Sequence, residues 1–129
     1  MSEFKKELIV SEDDLDDLNH VNNVRYVQWI QDISKEHWQA VAPKEMQDEV
    51  IWVVLSHHIE YKSAAVLNDP ITMTTFIEAS SGAKSTRVVE MKHSKTKRLL
   101  VRSTTEWCLL HSQTFRPTRI SDKLKDIFL

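Results

Sequence analysis

Asp16-Asp17-Leu18-Asn19-His20-Val21-Asn22-Asn23 is a short loop crowded with carboxylate, imidazole and amide groups, and it runs straight into a helical pattern from Asn22 to Ala42. At 3.6 residues per turn, Arg25, Gln28, Asp32, Lys35, Glu36 and Gln39 fall within one stripe of roughly 100°. Most other positions are apolar or small: Val24, Tyr26, Val27, Trp29, Ile30, Ile33, Trp38, Ala40 and Val41. A polar stripe this narrow predicts a helix covered on most sides, by a sheet wrapped around it or by a sheet plus a second subunit. Asn22 or Asn23 suits the N-cap, and Ala42-Pro43 is a stop, because proline disfavours helical geometry in the residue before it. Backbone N–H groups at such a helix start await an electron-rich ligand. The loop is therefore the first candidate site.

Length and composition narrow the classes. The 129 residues are read as one domain, 1–129, large enough to bury about two thirds of its unfolded surface. No apolar run approaches the ~20 residues of a membrane span, and the N-terminus lacks the apolar core of a signal peptide, so a cytoplasmic location is expected. The one cysteine, Cys108, excludes an intrachain disulfide framework and a thiolate zinc site. The one glycine, Gly82, disfavours a phosphate loop, a dinucleotide fingerprint and a nucleophile elbow. Residues 1–64 carry 6 basic and 13 acidic side chains, and residues 65–129 carry 11 and 6. The basic half suits either plain solvation or an acidic or phosphorylated partner.

Taken in order, Phe4 to Val10 reads as a strand, followed by an acidic loop through Asp17. That loop lacks the glycine and bidentate glutamate of an EF-hand, so Glu12, Asp13 and Asp14 are read as solvated. Pro43 to Glu49 is a polar connection. Val50 to Tyr61 is a long strand whose alternation puts Ile51, Val53, Leu55, His57, Ile59 and Tyr61 on one face. His57 and His58 then diverge, and with no other metal-ligand spacing no metal site is expected. Strands follow over Ile71 to Ala79, Lys84 to His93 and Leu99 to Leu110, joined by turns at Asn68-Asp69-Pro70, Ser80-Ser81-Gly82 and Ser94 to Arg98. A short helix from Ser121 to Phe128 ends the chain. One helix and runs of separate strands predict an α+β domain with an antiparallel sheet of about five strands.

Leu15-Asp16-Asp17-Leu18-Asn19-His20-Val21-Asn22-Asn23, with Tyr26 three residues on, resembles the signature of hotdog-fold thioesterases of the 4-hydroxybenzoyl-CoA thioesterase type, approximately Asp-x-x-Gly-His-Val-Asn-Asn-x-x-Tyr. It also resembles the corresponding segment of acyl-ACP thioesterases. The likeness extends through His58-Ile59-Glu60-Tyr61, the Ser-Gly hairpin and Arg116-Pro117, roughly Leu8 to Phe128. Asn19 replaces the usual glycine and tolerates the left-handed backbone glycine would adopt there. Leu18 stands where the acyl-ACP branch tends to have an asparagine.

The resemblance implies a hotdog fold, a long central helix wrapped by the sheet, and hydrolysis of an acyl-CoA or acyl-ACP thioester. No metal and no cofactor is implied. It assigns Asp16 as nucleophile or general base and His20 to orienting the loop or the thioester. The oxyanion falls to backbone amides near Asn22 and Asn23, with Asn23 counted as catalytic and Asn22 as substrate-binding. Lys84, Ser85 and Arg87 resemble the region that contacts the nucleotide or pantetheine. Two protomers are expected to pair their sheets, giving a homodimer or homotetramer. Tyr26 is read as packing. The competing expectation, motivated by Asn19 and Leu18, is a hotdog protein that binds acyl thioesters without cleaving them. A dehydratase fits the Asp loop less well, and nucleic-acid binding is disfavoured because the basic residues lack interleaved aromatics.

Overall fold

The computed structural model describes residues 2–129. Its elements are β1 (Phe4–Ile9), α1 (Asn23–Val41), α2 (Lys44–Glu49), β2 (Val50–Tyr61), β3 (Pro70–Ser81), β4 (Lys84–His93), β5 (Leu99–His111) and α3 (Asp122–Asp126), with a 3-10 turn over Glu12–Asp14. The strands form one antiparallel sheet of five, in the order β1-β3-β4-β5-β2, and α1 packs on one face of it. This is the α+β arrangement expected from the sequence. No helix among the described residues is long and apolar enough to cross a membrane.

Residues paired directly across an antiparallel ladder share a face. Met73 faces Met91, which faces Val101, and all three are fully buried against Tyr26, Trp29, Ile30 and Ile33 of α1. Burying such a side chain stabilises the fold by about 1.5–3 kcal/mol. A second cluster of Leu109, Ile120, Leu124 and Phe128 gathers Trp38 and Trp52 and closes the far end of the molecule. The tight turn between β3 and β4 works because Gly82 adopts φ +62°, a left-handed value that costs glycine nothing.

The buried positions of α1 are Tyr26, Trp29, Ile30, Ile33, Ser34 and His37, spaced as one helical face. Val24 is 72% exposed and Ala40 is exposed as well. Their expected coverage is not supplied by one chain, because the sheet meets only one side of the helix. The connection read over Pro43 to Glu49 contains a helix. Pro43 (φ -60°) precedes it at the N-cap, and Gln47 returns its Nε2 to the Ala42 carbonyl at 2.8 Å, supplying a partner where α1 ends.

The unbroken alternation expected in β2 is corrected by a bulge. Val54 pairs with Trp107 but Ser56 pairs with Glu106, so Leu55 is one residue too many and the faces exchange there. Trp52 and Val54 therefore share the helix-side face with His57, Ile59 and Tyr61, while Ile51 and Val53 do not. His57 and His58 do diverge: His57 Nδ1 meets Thr105 Oγ1 at 2.8 Å, whereas His58 lies exposed beside Glu60.

Candidate active site

The loop before α1 is tied down by its own backbone. Leu15 bridges Val21, and His20 bridges Val66 in the connection after β2. Inside this narrow hairpin the Asp16 N–H donates to the His20 carbonyl at 2.8 Å and the Asn19 N–H to the Asp16 carbonyl at 3.0 Å. Asn19 takes φ +60°, the left-handed conformation for which asparagine is among the better non-glycine residues.

Asp16 is half-buried, and its two carboxylate oxygens have different surroundings. Oδ1 accepts from the amides of Leu18 at 2.9 Å and His20 at 3.2 Å, while Oδ2 accepts no hydrogen bond among the described residues. One oxygen thus orients the side chain and the other stays available as a base or nucleophile. His20 is exposed, with no side-chain hydrogen bond.

At the helix start, Asn22 is the N-cap. Its Oδ1 accepts from the Val24 amide at 3.0 Å, its N–H donates to the Asp14 carbonyl at 2.8 Å, and its carbonyl accepts from Arg25 and Tyr26. Both of its backbone groups and its side-chain oxygen are engaged. Among the described residues, the backbone N–H of Asn23 has no partner. It is the donor left at the positive end of the α1 dipole. Neighbouring Asp14 is structural: Oδ1 pairs with Arg25 Nε at 2.9 Å and Oδ2 accepts from the Ser11 amide at 2.8 Å.

Tyr61, absent from the sequence-derived site, belongs to this cluster. Its hydroxyl donates to Asn23 Oδ1 from the end of β2, and burial pushes the phenol above its ordinary range. The signal was present in His58-Ile59-Glu60-Tyr61, but only the fold brings that segment to the helix tip. Tyr26 is buried, edge-on to Trp29 at 5.6 Å, with a hydroxyl that has no hydrogen-bond partner. Around the loop, Leu18 (74% exposed), Val24, Val66 and Leu67 form an apolar rim open to solvent.

Within one chain, Lys84, Ser85 and Arg87 do not join this cluster. Lys84 is exposed and lies 3.8 Å from Glu106. Ser85 and Arg87 are buried on the helix-side face and line a cavity of about 420 Å³ under the C-terminal half of α1. There the Arg87 Nη1 donates to His37 Nδ1 and to Thr75 Oγ1, each at 2.9 Å. A guanidinium can only donate, so His37 Nδ1 must be the unprotonated nitrogen and Nε2 carries the proton. Burial, with the nearby Arg87 charge, lowers the His37 imidazole to about 4, and burial lowers Arg87 to about 10, still charged at neutral pH. Among the described residues no group of three or more His, Cys, Asp or Glu side chains is arranged to hold a metal ion.

The fold agrees with comparison to known proteins. Residues 10–128 match the model of the thioesterase-like superfamily, and the chain belongs to that family. It is accordingly an enzyme of the thioesterase class, with the hotdog fold. A mutant of 4-hydroxybenzoyl-CoA thioesterase complexed with 4-hydroxybenzoyl-CoA superposes with a TM-score of 0.89 at 11% identity, covering 100% of both chains. The probable thioesterase YbaW from Escherichia coli gives 0.83 at 18% identity, covering 95% of this chain and 94% of that one. Slr0204, a 1,4-dihydroxy-2-naphthoyl-CoA thioesterase from Synechocystis, gives 0.84 at 13% identity, covering 98% and 96%. No curated protein matches the sequence.

Proposed function

We propose that the chain hydrolyses an acyl-CoA or acyl-ACP thioester, with Asp16 as its essential carboxylate. The observation that carries this reading is the division of labour within that side chain, one oxygen held by two amides and the other free. A thioester carries a good leaving group, so a positioned carboxylate and a stabilised oxyanion are sufficient without a serine triad. Oδ2 either attacks the carbonyl carbon itself or takes a proton from the water that does. The carbonyl oxygen, as it gains charge, is placed to receive the Asn23 N–H, reinforced by the helix dipole. The C–S bond breaks and the thiolate leaves, taking up a proton; where Asp16 itself has attacked, a water then cleaves the acyl–Asp16 anhydride, releasing the acid and restoring the carboxylate.

Family membership and neighbours whose titles name CoA thioesters support this substrate class. The second copy expected in a homodimer has a natural place. β2 is an edge strand of twelve residues, and long uncovered edges invite pairing.

Asp16→Asn tests the assignment. Asparagine keeps an Oδ1 for the Leu18 and His20 amides, so the loop survives, but the free oxygen becomes an NH₂. Thiol release from an acyl-CoA panel should fall by ~10²-fold or more in kcat, the scale of general-base contributions. Turnover equal to wild type would remove Asp16 from the mechanism.

A further inference from the structure

The cavity under the C-terminal half of α1 holds an arginine without a counter-ion. Arg87 is 4% exposed, and no carboxylate pairs with it among the described residues. Glu90 is held by Arg102 at 2.6 Å and Glu36, beside His37, by Lys6 at 2.7 Å. Only Nη1 of its guanidinium is hydrogen-bonded, which leaves Nε and both Nη2 protons without partners. The Phe128 ring covers it, with Cζ 5.6 Å from the centroid. With no protein partner and no counter-ion, those donors are open to an anion that enters the cavity.

The cavity supplies both halves of a recognition site. Ser85, with no hydrogen bond to its hydroxyl, lines it beside Arg87. So does Trp107, whose buried indole N–H is unpartnered. The remaining walls combine apolar side chains, led by Trp38, Trp52 and Phe128, with polar ones at the helix side, Lys35 among them. A volume of about 420 Å³ lies in the range of small-molecule sites. A guanidinium edge matches a carboxylate through two parallel N–H donors, and the Trp38, Trp52 and Phe128 rings, Trp38 edge-on to Trp52 and stacked on Phe128, favour an apolar body behind it.

We propose that this cavity binds an organic carboxylate with an apolar body, its carboxylate on Arg87 and its body among the tryptophans. The site is separate from Asp16: from Asn23 to Ser34 is ~16 Å along the helix axis. The ligand is either a free carboxylic acid or the far end of a dicarboxylic acyl group whose thioester lies at Asp16.

Calorimetry and tryptophan fluorescence with octanoate and its uncharged analogue 1-octanol test the shared chemistry on the wild-type protein. Octanoate should bind about tenfold or more tightly than octanol, as expected for a charge-assisted pair, and Arg87→Met should erase the difference. Arg87→Lys, which keeps the charge without the fork, should retain part of it. Equal affinities in the wild type, or a preference that survives Arg87→Met, would overturn the assignment. Inorganic phosphate binding as tightly as octanoate would overturn the apolar-body requirement. Dodecanedioyl-CoA against dodecanoyl-CoA separates the two sources. A higher kcat/KM for the ω-carboxyl substrate, lost in Arg87→Met, assigns the cavity to the substrate tail; equal values with octanoate still bound assign it to a free acid. Absence of all hydrolysis would count against the Asp16 mechanism while the octanoate comparison still decides the cavity.

Discussion

The two ends of α1 hold polar groups under opposite conditions. At the N-terminal end, Asp16, His20 and Asn23 stand at the surface, and the free Asp16 oxygen and the Asn23 amide are open to whatever arrives. Beneath the C-terminal half, His37, Arg87 and Thr75 are buried, Arg87 donating to both of the others, and burial lowers the pKa of His37 and of Arg87. Chemistry that must exchange protons with water belongs at the first end. Discrimination between charged and uncharged ligands belongs at the second, where a low dielectric makes each charge count for more. The helix joins the two by burying Tyr26, Trp29, Ile30 and Ile33 between them.

Damage to the aromatic packing at the buried end should appear mainly as lost stability. Phe128 packs on Trp38 at 6.1 Å, meets His37 edge-on at 5.1 Å and covers Arg87. Phe128→Ala should therefore cost about 3–5 kcal/mol, read as a lower urea midpoint. A loss below 1 kcal/mol would show that the buried end is not held together by α3 and its flank. Asp16→Asn should show the reverse pattern, a large loss of rate with the urea midpoint kept.

A pH titration of stability probes the same end with a slightly smaller effect. The His37 imidazole is neutral in the folded protein down to about pH 4, whereas in the unfolded chain it takes up a proton below 6.5. Between those values the unfolded state binds more protons, so stability falls as pH falls through that window and is whole above it. The full difference is about 3 kcal/mol. Titrating carboxylates add their own acid losses, so the informative quantity is wild type minus His37→Gln. That difference should carry the slope from pH 6.5 to 4 and be flat above pH 7. No difference between the two proteins would mean that His37 is solvated.

How far the sequence foretold these ends differs for physical reasons. Local chemistry was legible: the Asn22 cap, the left-handed Asn19 and the Gly82 turn each depend on a few neighbouring residues. The helix, the long strands and their antiparallel order followed from apolar periodicity. The bulge at Leu55 was not legible, because alternation continues on either side of it and only pairing with Trp107 and Glu106 exposes the extra residue. Nor was the setting of Arg87. Its place in a β-strand shows that it alternates with Lys84-side residues, but which face the helix covers depends on packing with His37, fifty positions away. Tyr61 meeting Asn23 likewise depends on the strand ending where the helix begins.

The smallest predicted effect is the one that separates a cap from a contact. Asn22 is expected to touch substrate by resemblance, yet its side-chain oxygen already accepts the Val24 amide. Asn22→Ala should lower stability by about 1 kcal/mol through loss of that cap, a shift of a few degrees in Tm. Asn22→Ser should restore most of it, since serine caps nearly as well. The kinetics of the serine variant then decide the role. If kcat and KM return with stability, the Asn22 side chain acts only by holding the first turn, and with it the Asn23 amide, in place. If stability returns while KM stays raised, the carboxamide itself reaches the thioester, through the Nδ2 donors that the cap leaves free.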